Sequence, residues 1–426
     1  MAEGKRRTVR DLRRGNRALV LRRLYFDGPL SRQELGPATG LSSGSISNVV
    51  SELAADGLLE EAGIVGSDGG RPRTLLRVAP GSGLLIGIDI GETRVRVELF
   101  DLSLTELART ERPITRHGYD VDRIVSHVRA AVADVLRDGD ADPGRLLGIG
   151  IGVPGIVEHS ADGAVVHGQT IGWNAVPFEQ LLRKSVDIPP GVPLFIDNGA
   201  KTLGQAEMWF GGGRGAASAA VALIGSGVGA CVVHAATPDE SARTDALEWG
   251  HTVAHIRGRR CRCGSLGCLE AYAGAEALRE RWREAGGSLP ADADDESALG
   301  ALLAAAYPER GAGDRAALAL LDETAEYLGA AVADLINLFR PERILLGGWA
   351  GLQLGPRLLP EVRRYAGEYA LAHAASRTTI ELGRLGPDAV TVGAATLPLS
   401  AFLHGGGHAA GRRQVCPGPG GPGRVR

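Results

Sequence analysis

Residues 248 to 270 gather Glu248, His251, His255, Cys261, Cys263, Cys268 and Glu270 into one short stretch. The cysteines follow the spacing C-x-C-x4-C, and His251 precedes the first of them by ten residues. A closed structural zinc site takes a tetrahedral ligand set, commonly thiolates with an imidazole. Three thiolates and one histidine complete such a set, with His251 and His255 competing for the last place. Gly264 and Gly267 let the backbone curl so that Cys263 and Cys268 can reach one ion. The alternative is disulfides or a buried thiol cluster. Cys261 and Cys263 are too close in sequence to bridge comfortably. No secretory leader opens the chain, so a cytoplasmic, reducing setting is expected, and that favours metal.

The run E-x-G-H, Glu248 to His251, followed by C-x-C-G-x-x-G-C-x-E, Cys261 to Glu270, resembles the signature of the ROK family, which groups bacterial sugar kinases with sugar-responsive repressors. The resemblance implies His251 as the histidine ligand and places Glu248, His251 and Glu270 against sugar hydroxyls. It also implies a two-lobed actin-like ATPase (sugar kinase) fold over residues 80–403. The zinc would then be structural, fixing the loop that presents the two carboxylates.

Other segments fit that frame. Residues 84–90 form an apolar run leading into Asp89-Ile90-Gly91-Glu92-Thr93, which resembles the D-x-G-G-T phosphate turn of the sugar kinases. Glycines there allow backbone N–H groups to approach phosphate. Glu92 takes the second glycine's place and opposes phosphate by charge and bulk. Gly225, Gly227 and Gly229 resemble the second phosphate turn, and Gly347-Gly348 falls where the family's adenosine site is expected. All of these are taken as a vestigial nucleotide site. Residues 171–178 resemble the family's sugar-side loop, with Asn174 as a candidate hydroxyl partner; the competing reading is a Trp173 that merely packs the loop onto the core.

Residues 192–207 line up with the family's E-N-D-A-N-x5-E segment, whose Asp is the general base in the kinases. Gly199 stands at that position, whereas Asn198 remains as a sugar ligand. Asp197 lies two residues earlier, and a displacement of about 7 Å along a strand is too large for near-attack geometry. Loss of a positioned base costs about 10²–10⁴ in rate. The resemblance therefore implies a kinase-like domain without an efficient kinase.

Ahead of this domain the charge is uneven. Residues 1–30 hold nine Lys or Arg against three acids, in a chain whose net charge is −3, so a polyanion partner is expected at that end. A helix over residues 11–27 precedes a capping box at Ser31 and Glu34, a Gly40 turn, and a second helix from Ser43. Its apolar positions are Ile46, Val49, Val50 and Leu53; Ser43, Ser45, Ser47 and Asn48 lie on the other face, and Ser51 with them. Short helix, turn and helix is the helix-turn-helix plan. Two strands then flank Gly70-Arg71-Pro72-Arg73, a basic tip suited to a narrow minor groove and similar to the wing of the family's repressors. Ser43, Ser45, Ser47, Asn48, Arg71 and Arg73 are the DNA-contact candidates.

The expected organisation is therefore α/β: a disordered leader 1–10, a winged helix-turn-helix over 11–79, the kinase-like domain over 80–403 with its zinc loop at 248–270, and a disordered tail over 404–426. The expected function is a sugar-responsive transcriptional repressor, not an enzyme, that binds a near-palindromic operator in double-stranded DNA as a homodimer or homotetramer. Its effector would be a sugar or sugar phosphate. A sugar kinase that kept a DNA-binding head is the competing reading. No apolar run is long enough to cross a bilayer.

Overall fold

The computed structural model describes residues 8–66, 72–114, 119–234, 243–289 and 292–408. The chain divides into two compact units, one of residues 1–78, 189–193 and 401–426, the other of residues 79–188 and 194–400.

In the first unit, α1 (Val9–Phe26) opens on a capping box in which Thr8 and Asp11 satisfy each other's backbone donors. Strand β1 (Leu30–Ser31) leads to α2 (Arg32–Thr39), which starts on the Ser31–Glu34 box and stops at Gly40 in the left-handed region (φ +71°). Helix α3 (Ser43–Ala55) follows, capped by Ser42. Strands β2 (Leu59–Val65) and β3 (Arg73–Val78) pair antiparallel, and β1 joins them in the order β1-β3-β2. Val20, Leu21 and Leu24 of α1 are buried with Leu35 of α2 and Ile46, Val49, Val50 and Leu53 of α3. This is the arrangement of a winged helix-turn-helix. The described structure reaches further than the sequence suggests: Val9 and Arg10 belong to α1, Thr8 caps it, and residues 404–408 are placed. Arg17, only 6 % exposed, donates to the Gly406 carbonyl at 3.0 Å and pairs with Asp56 at 2.6 Å. Residues 1–7 and 409–426 lie outside the described residues.

The second unit contains one sheet plan twice. Strands β4 (Leu84–Ile90), β5 (Arg94–Asp101) and β6 (Glu106–Pro113) form an antiparallel meander. Helix α4 (Val121–Asp138) covers it, followed by β7 (Leu146–Val153), which runs parallel to β4. A small sheet of β8 (Ile156–Ser160), β9 (Gly163–Gly168) and β10 (Trp173–Val176) precedes α5 (Phe178–Ser185). Strand β11 (Leu194–Asn198) pairs parallel with β7, completing the order β11-β7-β4-β5-β6, and α6 (Gly199–Phe210) follows directly.

The second copy begins with the antiparallel strands β12 (Ser218–Ile224), β13 (Val228–His234) and β14 (Arg243–Leu247). Helices α7 (Glu270–Ala273), α8 (Ala275–Glu284), α9 (Asp295–Ala306) and α10 (Arg315–Phe339) come next. Strand β15 (Arg343–Gly347), α11 (Trp349–Tyr369), α12 (Ala372–Ala375) and β16 (Thr379–Leu382) complete the order β14-β13-β12-β15-β16. Each sheet thus joins an antiparallel meander to two parallel strands through its first strand. The apolar runs at β4 and β12 reflect burial on both faces. Helix α13 (Ala389–His404) lies against the first sheet so closely that a Cβ on Gly87 or Gly150 would collide with the Thr391 or Ala394 carbonyl oxygen. Among the described residues no helix is long and apolar enough to cross a membrane.

Glu98, on β5 and 1 % exposed, meets Thr391 of α13 at 2.7 Å, and its other oxygen has no partner among the described residues. Burial pushes its carboxyl up to about 7 from the ordinary 4.5. The folded chain therefore holds this proton more tightly than the unfolded chain. The stability it contributes is full below about 4.5 and is lost as pH rises through about 7. Glu98→Gln should match the parent near pH 5 and exceed it above neutrality, by up to about 3 kcal/mol. Urea denaturation at the two pH values measures this, and an equal difference at both would refute it.

Candidate functional site

The loop between β14 and α7 has little regular structure, and its shape comes from turns. Trp249 anchors its start, donating its indole N–H to the Ala331 carbonyl at 3.1 Å. Gly264 (φ +95°) and Gly267 (φ +79°) occupy the left-handed region as the curl requires. The ligand atoms of His251, Cys261, Cys263 and Cys268 lie within 4.8 Å of one another. His251 Nδ1 is 3.8 Å from Cys261 Sγ, and the Cys263 and Cys268 sulfurs are 3.7 Å apart. Thiolate-metal bonds of about 2.3 Å at tetrahedral angles give sulfur separations of about 3.8 Å, so the donors fit one tetrahedral metal. The competition between histidines is resolved: His255 stacks on Tyr272 and faces the Tyr327 hydroxyl through Nδ1 at 2.9 Å. Burial pushes the Cys261 and Cys268 thiols up, so ionising them calls for a cation at the site.

Beside this loop a cavity of about 700 Å³ opens at the carboxyl ends of β4, β7, β11 and β12, where open α/β sheets bind ligands. Asn174, Asn198, Glu248, His251 and Glu270 all reach its wall, but they are not equivalent. Asn174 and Glu248 are exposed, without a side-chain hydrogen bond among the described residues. Asn198 is committed: its Oδ1 accepts from the Ala200 and Lys201 amides at 2.8 and 3.3 Å, capping α6, and its Nδ2 donates to Gly155 O at 2.7 Å. Glu270, 5 % exposed, accepts from the Val228 amide and Arg262 Nε, both at 2.9 Å. These two side chains build the wall and present only what remains, a second Nδ2–H on Asn198 and the uncommitted lone pairs of Glu270. Trp173 packs on Phe178 with ring centroids 5.0 Å apart and donates to Tyr119 O at 2.7 Å, so its packing role is real and leaves Asn174 facing the cavity.

The other end of the cavity carries Asp89, Gly91, Thr93, Gly225, Gly227 and Gly229. Burial pushes the Asp89 carboxyl up to about 6, against the pull of Arg96 and Arg94. Gly347 and Gly348 are not on the wall; Trp349, next in the chain, is. Gly199 is on the wall, and a Cβ there would make ordinary contacts of 3.7–3.8 Å, so a side chain has room. Asp197 is not on the wall: it pairs with Lys201 at 2.8 Å and accepts from the Asn198 amide at 2.8 Å. It is thus held away from the base position.

The sequence did not single out Arg262. It leaves the metal loop between two cysteines and contacts Glu92, Glu270 and Glu276. An arginine between two ligand cysteines is a visible signal, but its partner lies 170 residues away in sequence. On the winged helix, Ser43, Ser47 and Asn48 are exposed on α3, whereas Ser45 is half-buried with its hydroxyl 3.0 Å from that of Ser42. Arg73 is exposed, and Arg71 lies outside the described residues.

A two-lobed sugar-kinase-like unit with a His/Cys3 loop, on the same chain as a winged helix, defines the class. Its family model matches residues 85–400, and the chain belongs to the ROK family. It is similar to a putative xylose repressor of Caldicellulosiruptor sp. (strain Rt8B.4), with 28 % identity over 394 residues, 91 % of this chain and 96 % of the relative. A glucokinase of Halalkalibacterium halodurans is 29 % identical over 314 residues, 72 % of this chain and 92 % of the relative. Among solved structures, a ROK family transcriptional regulator described as a homolog of the Escherichia coli MLC protein superposes with a TM-score of 0.72 at 24 % identity, covering 93 % of this chain and 98 % of that one.

Purified protein should carry about one metal ion per chain. Cys268→Ser should lose most of it and melt at a lower temperature. Elemental analysis beside a melting curve measures both, and unchanged metal content would exclude the four-donor assignment.

Proposed function

We propose that this chain is a sugar-responsive, DNA-binding transcriptional repressor of carbohydrate uptake or metabolism genes. Its working division is a winged helix over 11–79 and a ROK domain over 80–403. The metal is zinc, held by His251, Cys261, Cys263 and Cys268, a borderline-soft ion suited to this donor set. It is structural, because all of the donors come from the protein and fix the loop. Asn174 and Glu248 bind sugar hydroxyls, with His251, Asn198 and Glu270 shaping the same wall.

The observation that carries this reading is the mismatch between the two ends of one cavity. The sugar end has uncommitted polar groups beside a rigid loop. The phosphate end has a carboxylate in its turn, and the base position is a glycine with Asp197 tied to Lys201. Binding without turnover is the behaviour such a cavity supports. The xylose-repressor relative, matched over 91 % of this chain, cannot be matched without entering the first 78 residues, whereas the glucokinase match leaves room to omit them.

Ser43, Ser45, Ser47 and Asn48 on α3, with Arg71 and Arg73 from the wing, are the proposed DNA contacts. A homodimer or homotetramer would present pairs of winged helices to a near-palindromic operator, with the recognition helices in the major groove. Sugar binding biases one state of the kinase-like unit over another, which suffices for ligand control of DNA affinity. Selection of genomic fragments by the zinc-loaded protein should enrich a shared inverted repeat. Failure to enrich any sequence at low salt, where phosphate contacts are strongest, would count against the repressor reading.

The competing reading, a kinase, rests on the retained glycine turns and the glucokinase relatives. Gly199→Asp restores a base where space exists, yet Glu92 still occupies the phosphate turn. ADP release by this variant with hexoses should stay at background in a coupled assay; turnover clearly above it would revive the kinase reading.

A further inference from the structure

The phosphate end of the cavity is already filled by the protein's own charges. Glu92 belongs to the turn after β4, in the first sheet. Arg262, Glu270 and Glu276 belong to the second half of the unit. The Arg262 guanidinium grips Glu92 in bidentate fashion, with Nη1 donating to Oε2 and Nη2 to Oε1, the latter at 2.6 Å. Its Nε donates to Glu270 Oε1 at 2.9 Å and its Nη1 also reaches Glu276 at 3.2 Å. The Glu92 and Arg262 side chains are only 15 % and 22 % exposed. Tyr119 further fixes the turn by donating to the Glu92 carbonyl at 3.1 Å.

The cluster sits directly on the second glycine turn. A Cβ on Gly227 would collide with Arg262 Nη2 and lie 2.5 Å from Glu270 Oε2 and 3.1 Å from Glu92 Oε1. The space between the turns at Gly91 and Gly227 therefore holds a carboxylate with its own arginine. A guanidinium fork binds carboxylate and phosphate with the same paired geometry. One arginine against Glu92, Glu270 and Glu276 leaves the cluster with surplus negative charge, and Asp89 and Glu248 on the cavity wall add to it.

We propose that Glu92 is an internal stand-in for phosphate: by holding Arg262 it closes this end of the cavity and restricts the ligand to uncharged sugars, excluding nucleotides and sugar phosphates. The restriction on sugars rests on the effector reading above; the assignment of Glu92 does not. Removing Glu92 takes away one of three carboxylates and releases the Nη2 edge of Arg262, which Glu270 and Glu276 still hold through Nε and Nη1, so this end of the cavity accepts an anion more readily than in the parent.

The test compares the full-length zinc-loaded parent with Glu92→Gly, Glu92→Gln and the double variant Glu92→Gly/Arg262→Met. Calorimetry is run with pyrophosphate, ADP, glucose 6-phosphate and a panel of uncharged pentoses and hexoses. Melting curves show which variants are folded, and the isosteric glutamine variant keeps the test open if the glycine variant is not. The parent should not bind pyrophosphate or ADP at millimolar concentration. Glu92→Gly should gain affinity for both by about tenfold or more, the effect of an added charge-assisted hydrogen bond. Glu92→Gln should gain less, and the double variant should lose the gain. Pyrophosphate or ADP binding by the parent as tight as by Glu92→Gly overturns the proposal, as does a sugar phosphate that binds the parent more tightly than its parent sugar. If no uncharged sugar binds while Glu92→Gly still gains pyrophosphate, the effector reading falls and the assignment of Glu92 stands.

Discussion

The geometry of the cavity depends on the His/Cys3 cluster more than on any other interaction in the chain. Between β14 and α7 the backbone makes no extended ladder, and its hydrogen bonds are turns such as Cys261 N to Ser265 O and Gly267 N to Arg259 O. Turns of this kind do not by themselves repay the entropy of ordering some twenty residues, roughly 1–2 kcal/mol each. A metal holding four side chains at once does. Everything useful on the loop is spaced from those ligands: Glu248 precedes His251, Arg262 lies between two of the cysteines, and Glu270 follows Cys268 by two residues. An ion bound there would fix the wall that carries Glu248 and the arginine that holds Glu92 together.

The frame around that loop is a duplicated sheet, and duplication explains where the cavity lies. Each copy ends its parallel strands at the same edge, so the two edges together provide backbone turns from β4, β7, β11 and β12 around one space. Close approach is a second requirement. Helix α13 can lie on the first sheet only because Gly87 and Gly150 carry no side chain, which keeps the strand ends in register with the turns that line the cavity.

What was legible in the sequence was local. The cysteine spacing, the Ser31–Glu34 box and the positive-φ glycines of the loop each depend on residues a few positions apart, and each stands as read. Pairings across the fold were not legible. Nothing near residue 92 announces Arg262, and the carboxylate at Glu92 reads as mere repulsion until its counter-ion is seen. Asn198 is a helix cap as well as a cavity residue, a double role that a strand-then-helix boundary could have suggested. Lys201 lies four residues after Asp197, the spacing of a helical ion pair, and that signal was there to be read. The ends misled for a composition-based reason. Gly405 to Gly407 look like the start of a tail, yet Gly406 offers its carbonyl to the buried Arg17.

The departures from a kinase fall at separate points of the chain and act on separate requirements of phosphoryl transfer. Gly199 removes the group that would accept the sugar's proton. Glu92 places a carboxylate where a phosphate needs backbone donors. Trp349, next after Gly347-Gly348, puts an indole on the cavity wall. On the proposed reading each of these departures weakens phosphoryl transfer through a different requirement. At the other end the loop brings four potential metal donors together, and Asn174 and Glu248 have no side-chain hydrogen bond among the described residues. The Glu92–Arg262 pair is bidentate and largely buried, and each charge needs the other there, because desolvated charges without partners would be costly. The arginine that balances Glu92 comes from the His/Cys3 loop itself, so this ion pair also ties the two halves of the unit together across the cavity.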